Sequence, residues 1–134
     1  MFHVTARGVA RAPIFLDGID YAEFERQLFG VRDEYGWTLH AYCLLPNHYH
    51  LIVETKQEDL STGMQKLNGR YAQRFNRRYD RVGHVFQNRF SSFVIESDEH
   101  FVRALRYVRA NPIEAGLCAT ADDWPWSDGP PVTD

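Results

Sequence analysis

The feature that most constrains the fold of this chain is a pair of short apolar segments joined by a two-residue turn. Residues 38–45, TLHAYCLL, and residues 48–55, HYHLIVET, flank Pro46-Asn47. Apolar runs of this length around a short turn predict the two antiparallel strands of a hairpin. A hairpin alone is marginally stable in water, so the rest of the chain must supply elements that cover it.

The residues before the hairpin predict a strand and a helix. Residues 2–8 have the composition of a first strand. Apolar residues recur at helical spacing over 20–35, which predicts an amphipathic helix. Asp20 and Glu23 have the spacing of a capping box at its start, and Gly36 is expected to end it.

The residues after the hairpin repeat this alternation. Helical spacing predicts a second helix over 59–79, in which Gly63 and Gly69 are interpreted as points of close packing. Residues 85–95, VFQNRFSSFVI, predict a fourth strand.

Ser97 is expected to cap a third helix that runs to about Ala110 and ends at Asn111-Pro112. The resulting order is β-α-β-β-α-β followed by one further helix. This order predicts an α+β fold with a ferredoxin-like antiparallel sheet and an added C-terminal helix.

The 134-residue length fits one domain, which we assign to residues 1–134 with a core over about 2–118. The tail, 119–134, ends in a Pro-, Gly- and Asp-rich stretch that we expect to be loose. No signal peptide or membrane span is recognised, and Cys43 and Cys118 have no paired spacing. We therefore expect a cytoplasmic protein with two buried free thiols.

Positive charge is concentrated in one segment. Seven basic residues and only Asp80 as an acid give residues 66–89 a charge of +6, although the whole chain carries −3. A solvated helix face would explain such a run. Aromatic residues interleaved with the bases favour instead a surface for single-stranded nucleic acid.

His48 and His50 are the candidate chemical residues of the hairpin. Alternate residues of a strand point to the same face, so both imidazoles project together with Ile52, and they could bind one metal ion. The alternative is one packed and one surface histidine. A third ligand would have to come from elsewhere in the chain.

The third predicted helix offers such a ligand. Tyr107 and Asn111 lie one turn apart on a face beside its apolar stripe, which gives an oxygen ligand and a phenol. Tyr71 and Tyr79 on the second helix are alternative phenols.

The motifs together carry a family resemblance. They are HVTARG at 3–8, IFLD at 14–17, YGWTLHAYCLLPNHYHLIVET at 35–55, LNGRYAQRFNRRYDRVGHVFQNRF at 67–90, YVRANPIEAGL at 107–117 and DWPWS at 123–127. In this order they resemble the HUH-superfamily single-strand DNA transposases with one catalytic tyrosine. The sequence is more similar to the REP-associated tyrosine transposase branch than to typical insertion-sequence members.

The resemblance implies a metal-dependent enzyme that nicks and joins DNA. His48 and His50 match the metal-binding pair, Asn111 the third ligand and Tyr107 the nucleophile, which would form a 5′-phosphotyrosine intermediate. The expected cofactor is Mg²⁺ or Mn²⁺. The general base stays open, with His100 as a candidate.

The implied partner is single-stranded DNA that contains hairpins or palindromic repeats. A homodimer that exchanges the third helix is possible, as is a monomer. The residues expected to contact DNA are arginines: Arg7, Arg70, Arg74, Arg77, Arg78 and Arg89.

Three other functions are alternatives to this one. A histidine-triad nucleotide hydrolase would want a third histidine at position 52, which is isoleucine. A domesticated domain could bind single strands without cutting them, and a structural domain could self-associate through its sheet edges.

Overall fold

The predicted hairpin forms the middle of a five-stranded antiparallel sheet. In the computed structural model, which describes residues 1–131, the strand order is β4-β1-β3-β2-β5. The strands are β1 (Phe2–Arg7), β2 (Thr38–Leu45), β3 (His48–Glu54), β4 (Ser91–Val94) and β5 (Ser127–Asp128). β3 is therefore the central strand, with a neighbour on each side.

Three α-helices cover the sheet. They are α1 (Gly18–Tyr35), α2 (Gln57–Tyr79) and α3 (Asp98–Glu114), and short 3-10 turns lie at Val9–Arg11 and Ala121–Asp123. α1 and α2 pack on one face and α3 packs on the other. The ferredoxin-like order and the added helix are both confirmed.

The two faces of β3 have separate cores, as its alternation predicts. Tyr49, Leu51 and Val53 are buried under α1 and α2. Ile52 packs on the other face with residues of α3, among them Val108. The histidines share the face of Ile52 and therefore lie under α3.

The start of α1 differs from the prediction. The capping box at Asp20 is wrong, because the side chain of Asp17 caps the helix by accepting from the amides of Ile19 and Asp20 at 3.1 and 3.2 Å. Asp20 is buried and accepts from the Leu16 amide at 2.8 Å. Gly36 ends the helix as predicted, with a φ of 67°.

The fourth strand is shorter than predicted, since only Ser91–Val94 is extended and paired. Val85 and Phe86 are buried, but they belong to an irregular segment that meets β1 through a bridge between Gly8 and Phe86. The polar residues that follow Phe86 are exposed and interrupt the alternation of a strand.

α3 is longer than predicted and includes Pro112. Pro112 has no amide donor, but it lies in the last turn of the helix, where few bonds remain to be made. The amides of Ala115 and Leu117 bond to the Asn111 and Pro112 carbonyls at 3.0 and 2.9 Å. Asn111 therefore keeps helical geometry, one turn beyond Tyr107.

The tail is packed as far as β5, at the start of the Pro-, Gly- and Asp-rich end that we expected to be loose. Trp124 Nε1 donates to the Leu44 carbonyl at 2.8 Å, and the Trp126 ring stacks on Tyr21 with centroids 5.0 Å apart. β5 pairs with β2. Residues 132–134 of the predicted tail lie outside the described residues.

Both cysteines are free thiols. Cys43 is buried as predicted, and burial raises its pKa to about 12. Cys118 is only partly buried, contrary to the prediction. None of the helices within residues 1–131 combines the length and the apolar character needed to cross a membrane.

Candidate active site

The two strand histidines lie side by side on the central strand. The ring centroids of His48 and His50 are 5.1 Å apart. His50 is buried and His48 is half-buried beneath α3. The strand alternation therefore places both imidazoles in one protected corner of the sheet.

A third histidine, which the sequence analysis missed, joins this pair. His3 of β1 lies with its Nε2 atom 3.0 Å from Nδ1 of His50. The antiparallel register pairs His3 with Ile52 and Thr5 with His50, so His3 is the diagonal neighbour of His50 on the same face. Strand alternation combined with this pairing was the signal that could have found it.

The hydrogen bonds of His48 leave one ring nitrogen available. The Asn47 amide nitrogen donates to the Arg11 carbonyl at 3.3 Å, so its Oδ1 faces His48. That oxygen lies 2.8 Å from His48 Nδ1, which must therefore carry the proton and donate. Nε2 of His48 then has a free lone pair.

His50 shows the same arrangement in a more buried setting. Its Nδ1 is engaged by His3, whereas its Nε2 is buried and has no hydrogen-bond partner within residues 1–131. Burial, followed by the neighbouring His3, His48 and Arg7, lowers the pKa of His50 to about 3. The ring is neutral at physiological pH, which is the form that binds metal ions.

α3 brings Tyr107 and Asn111 over these histidines within a single chain. The Tyr107 ring centroid is 5.4 Å from that of His50 and 5.8 Å from that of His3. About half of the Tyr107 side chain is exposed, so a substrate could reach its hydroxyl. Leu105 and Val108, on the sheet-facing side of α3, are buried and anchor the helix.

Asn111 lies against His48. Its Nδ2 atom donates to the Tyr107 carbonyl at 3.1 Å, which leaves Oδ1 available as a ligand. Burial and the charge of Arg7 lower the pKa of His48, whereas the Asn111 side chain, which can accept a hydrogen bond from the protonated ring, raises it. The sequence-predicted ligand set of His48, His50 and Asn111 is therefore brought together.

These residues fit a divalent metal ion. The orphaned Nε2 of His50 is a buried nitrogen that a metal would satisfy, and the donors around it are neutral nitrogen and amide oxygen. Among residues 1–131, no cluster of three or more His, Cys, Asp or Glu side chains is arranged to hold a metal.

The family to which the chain belongs follows from comparison with known proteins. A family model described as "Transposase IS200 like" matches residues 1–111. The chain belongs to the IS200-like transposase family. A curated Haemophilus influenzae protein, named as a REP-associated tyrosine transposase, is 27% identical over 106 residues. That alignment covers 71% of this chain, and the chain spans about 60% of the length of that relative.

Two solved structures share the fold of this chain. One is described as a REP-associated tyrosine transposase bound to a REP hairpin. It has a TM-score of 0.76 at 19% identity, and the match covers 99% of this chain and 87% of that chain. The other is described as a transposase from Deinococcus radiodurans. It has a TM-score of 0.58 at 17% identity, and the match covers 80% of this chain and 86% of that chain. At these identities the similarity establishes the fold alone.

The alternative phenols, Tyr71 and Tyr79, form hydrogen bonds away from the histidines. The buried Tyr71 hydroxyl donates to the Ile14 carbonyl. The Tyr79 hydroxyl donates to Asp20 at 2.6 Å. Neither forms a ring contact with His48 or His50. The candidate base His100 accepts from the Glu96 amide at 3.4 Å and lies close enough to His3 to help lower its pKa, after burial.

The basic row of α2 faces acidic residues of α1. Arg78 pairs with Asp17 and Asp20 at 2.6 and 2.7 Å. Arg74 pairs with Glu23 at 2.7 Å. These two predicted DNA contacts therefore have partners within the fold.

The row continues in the same way toward the start of α2. Lys66 pairs with Glu34 at 3.1 Å, and Arg70 lies close enough to contribute to the lowered pKa of Glu34. Of the other predicted DNA contacts, Arg77 is exposed beside Arg74 and Arg78. Arg7 ends β1 opposite His48, and Arg89 follows the Phe86 segment.

Proposed function

We propose that this chain is a metal-dependent single-strand DNA transposase in which Tyr107 is the nucleophile. The observation that carries the proposal is the convergence of His48 and His50 from β3 with Tyr107 and Asn111 from α3. Family membership supports a transposase, and the local geometry supports this division of roles.

In the proposed reaction the Tyr107 oxygen attacks the phosphorus of a DNA phosphodiester. The bond from phosphorus to the 3′ oxygen breaks. The downstream segment of the strand stays linked to the protein as a 5′-phosphotyrosine, and the upstream segment leaves with a 3′-hydroxyl. The phenol gives up one proton and the departing oxygen gains one. One ester replaces another, so a later attack by a 3′-hydroxyl can rejoin strands without an external energy source.

The protein residues have separate tasks in this scheme. His48, His50 and Asn111 would hold the ion, which supplies Lewis-acid polarisation of the phosphate when bound. His3 holds the His50 ring, and α3 keeps the phenol of Tyr107 beside the pair. Arg7, across from His48 in the strand register, would bind the flanking backbone phosphate.

Hairpin-containing DNA is the proposed substrate, since one relative of the same fold is titled as bound to a REP hairpin. The test is to incubate the protein with a hairpin oligonucleotide carrying single-stranded flanks and Mn²⁺, and to look for a DNA adduct that survives SDS. Tyr107→Phe should abolish the adduct, whereas Tyr35→Phe on α1 should not.

The same experiment separates cutting from binding. An adduct formed by Tyr107→Phe would refute the nucleophile assignment. If the natural chain binds the hairpin tightly, but neither it nor any Tyr107 variant forms an adduct, the protein is a binding domain that does not cut DNA.

A further inference from the structure

A groove lies on the face of the sheet opposite the active site, between α2 and residues 83–92. Its volume is about 800 Å³. It stays open because the residues that α2 and β4 contribute to it include Gly69, Ala72 and Ser92, which are too small to fill the space. In consequence the edge of the sheet at β4 is not covered by α2.

The lining of this groove is rich in side-chain amides. Gln65 and Asn68 come from α2, and Gln87 and Asn88 come from the opposite wall. Within residues 1–131 the side chains of Gln65, Gln87 and Asn88 form no hydrogen bond. Asn68 is held by the Tyr49 hydroxyl, which donates to its Oδ1 at 2.6 Å and leaves Nδ2 to donate.

The rest of the lining includes aromatic and basic residues, together with Ser61, Met64, Gly83 and Val85. Phe86 and Phe90 border the groove, Arg89 and His84 lie at it, and none of the residues that line it is acidic. Paired amide donors and acceptors match the edges of nucleobases, and aromatic rings stack on their faces. A phosphate site would instead require several converging cations, and an apolar peptide would leave the amides unpaired.

We propose that this groove binds unpaired nucleobases of the same DNA strand that enters the active site. The inference rests on the proposed function, because it assumes that single-stranded DNA is the substrate. It adds a place where the identity of a base can be read, away from the atoms that react.

The path between the groove and the active site is short. The amide of Gln87 donates to the Arg7 carbonyl at 2.8 Å, and Arg7 is paired with His48 in the register of β1 and β3. Neighbouring strands are about 4.8 Å apart, so two such steps place the Gln87 backbone roughly 10 Å from His48. One DNA strand can cross this edge, with Arg7 between the two sites.

The test uses Tyr107→Phe protein, so that chemistry does not consume the DNA. The probe is a fluorescein-labelled hairpin oligonucleotide with single-stranded flanks, in which each flank base in turn is replaced by an abasic site. Binding is measured by anisotropy. At one or two flank positions the abasic site should weaken binding about tenfold.

Two groove variants and one control locate this effect. Gln65→Ala and Asn88→Ala, on opposite walls, should each weaken binding to the intact probe about tenfold. In these two variants, introducing the abasic site should weaken binding little further. Gln73→Ala removes an exposed amide of α2 outside the groove and should change nothing.

The two proposals fail in different ways. If both groove variants bind every probe as Gln73→Ala does, the groove proposal is overturned even when Tyr107 forms the adduct. If the Tyr107→Phe protein binds no flanked hairpin, and the natural chain forms no adduct, the proposed function and the groove fall together.

Discussion

His3 and His50 hold each other across neighbouring strands, with Nε2 of His3 3.0 Å from Nδ1 of His50. For His50 to offer Nε2 to a metal, its Nδ1 must carry the proton and donate it to His3. Partners of this kind fix the tautomer and the ring orientation of metal-binding histidines. The ligand ring is thus oriented by the sheet before any ion binds.

Replacing His3 should therefore weaken metal binding without removing a ligand. We expect His3→Leu to lower the affinity for Mn²⁺ by about 10- to 100-fold. His3→Gln should retain more of it, because its amide oxygen can still accept from His50. The affinity is measured by calorimetry or by the electron paramagnetic resonance of free Mn²⁺, without DNA.

The control for this experiment is His40→Leu. His40 lies on β2, pairs with Glu54 at 2.9 Å and does not contact the site histidines. Equal Mn²⁺ affinities for His3→Leu and His40→Leu would show that His3 has no positioning role.

Substitutions at Asn111 test whether the metal ion needs an oxygen ligand. Asn111→Leu removes the oxygen and should reduce Mn²⁺ affinity by about 10- to 100-fold, with a parallel loss of the DNA adduct. Asn111→Asp keeps an oxygen and should preserve metal binding, since carboxylates suit Mg²⁺ and Mn²⁺. Unchanged affinity in Asn111→Leu, measured by the same titration, would contradict the ligand role.

The sequence predicted the parts of the site that depend on local periodicity. The alternation of β3 put His48 and His50 on one face, and helical spacing put Tyr107 and Asn111 together. His3 was missed because its position depends on the register between β1 and β3, which no local pattern contains.

Other features of the fold also depend on contacts between distant parts of the chain. The basic residues of α2 are distinctive in the sequence, but their acidic partners lie on α1 or cap it, and Asp17 is 61 residues away from Arg78. Trp124 and Trp126 similarly pack against residues distant in the chain, including Leu44. Contacts between residues far apart in the sequence therefore determine whether the basic side chains of α2 and the two tryptophans are solvated or packed.

The ion pair between Arg78 and Asp17 predicts how stability changes in acid. The hydrogen bond from Arg78 lowers the pKa of Asp17 from its ordinary value of 3.8 to about 2. Because the folded state holds the carboxylate ionised, this stabilisation is present above pH 3.8 and is lost as the pH falls toward 2.

Arg78→Met should therefore lower the melting temperature at neutral pH, and the difference from the natural chain should shrink as the pH approaches 2. Arg89→Met is the control, since Arg89 forms no ion pair within residues 1–131. A difference between Arg78→Met and the natural chain that stays constant down to pH 2 would contradict the assignment. Melting curves followed by circular dichroism provide the measurement.

Gly63 and Gly69 were both interpreted as packing positions, and the structure distinguishes them. A Cβ atom on Gly63 would lie 2.4 Å from Cζ2 of Trp37 and 3.0 Å from Cγ1 of Val31. Trp37 is buried and its Nε1 atom donates to the Asp59 carbonyl, so the ring has little freedom to move. A Cβ atom on Gly69 would meet no other atom within 4 Å.

Alanine at these two positions should change stability in opposite directions. Gly63→Ala should lower the free energy of unfolding by about 1–3 kcal/mol, because it overpacks the contact between α1 and α2. Gly69→Ala should raise it by up to about 1 kcal/mol, because alanine favours the helix and nothing obstructs it. Urea unfolding measures both. If Gly63→Ala is as stable as Gly69→Ala, Trp37 can move aside and α2 does not need glycine to approach α1.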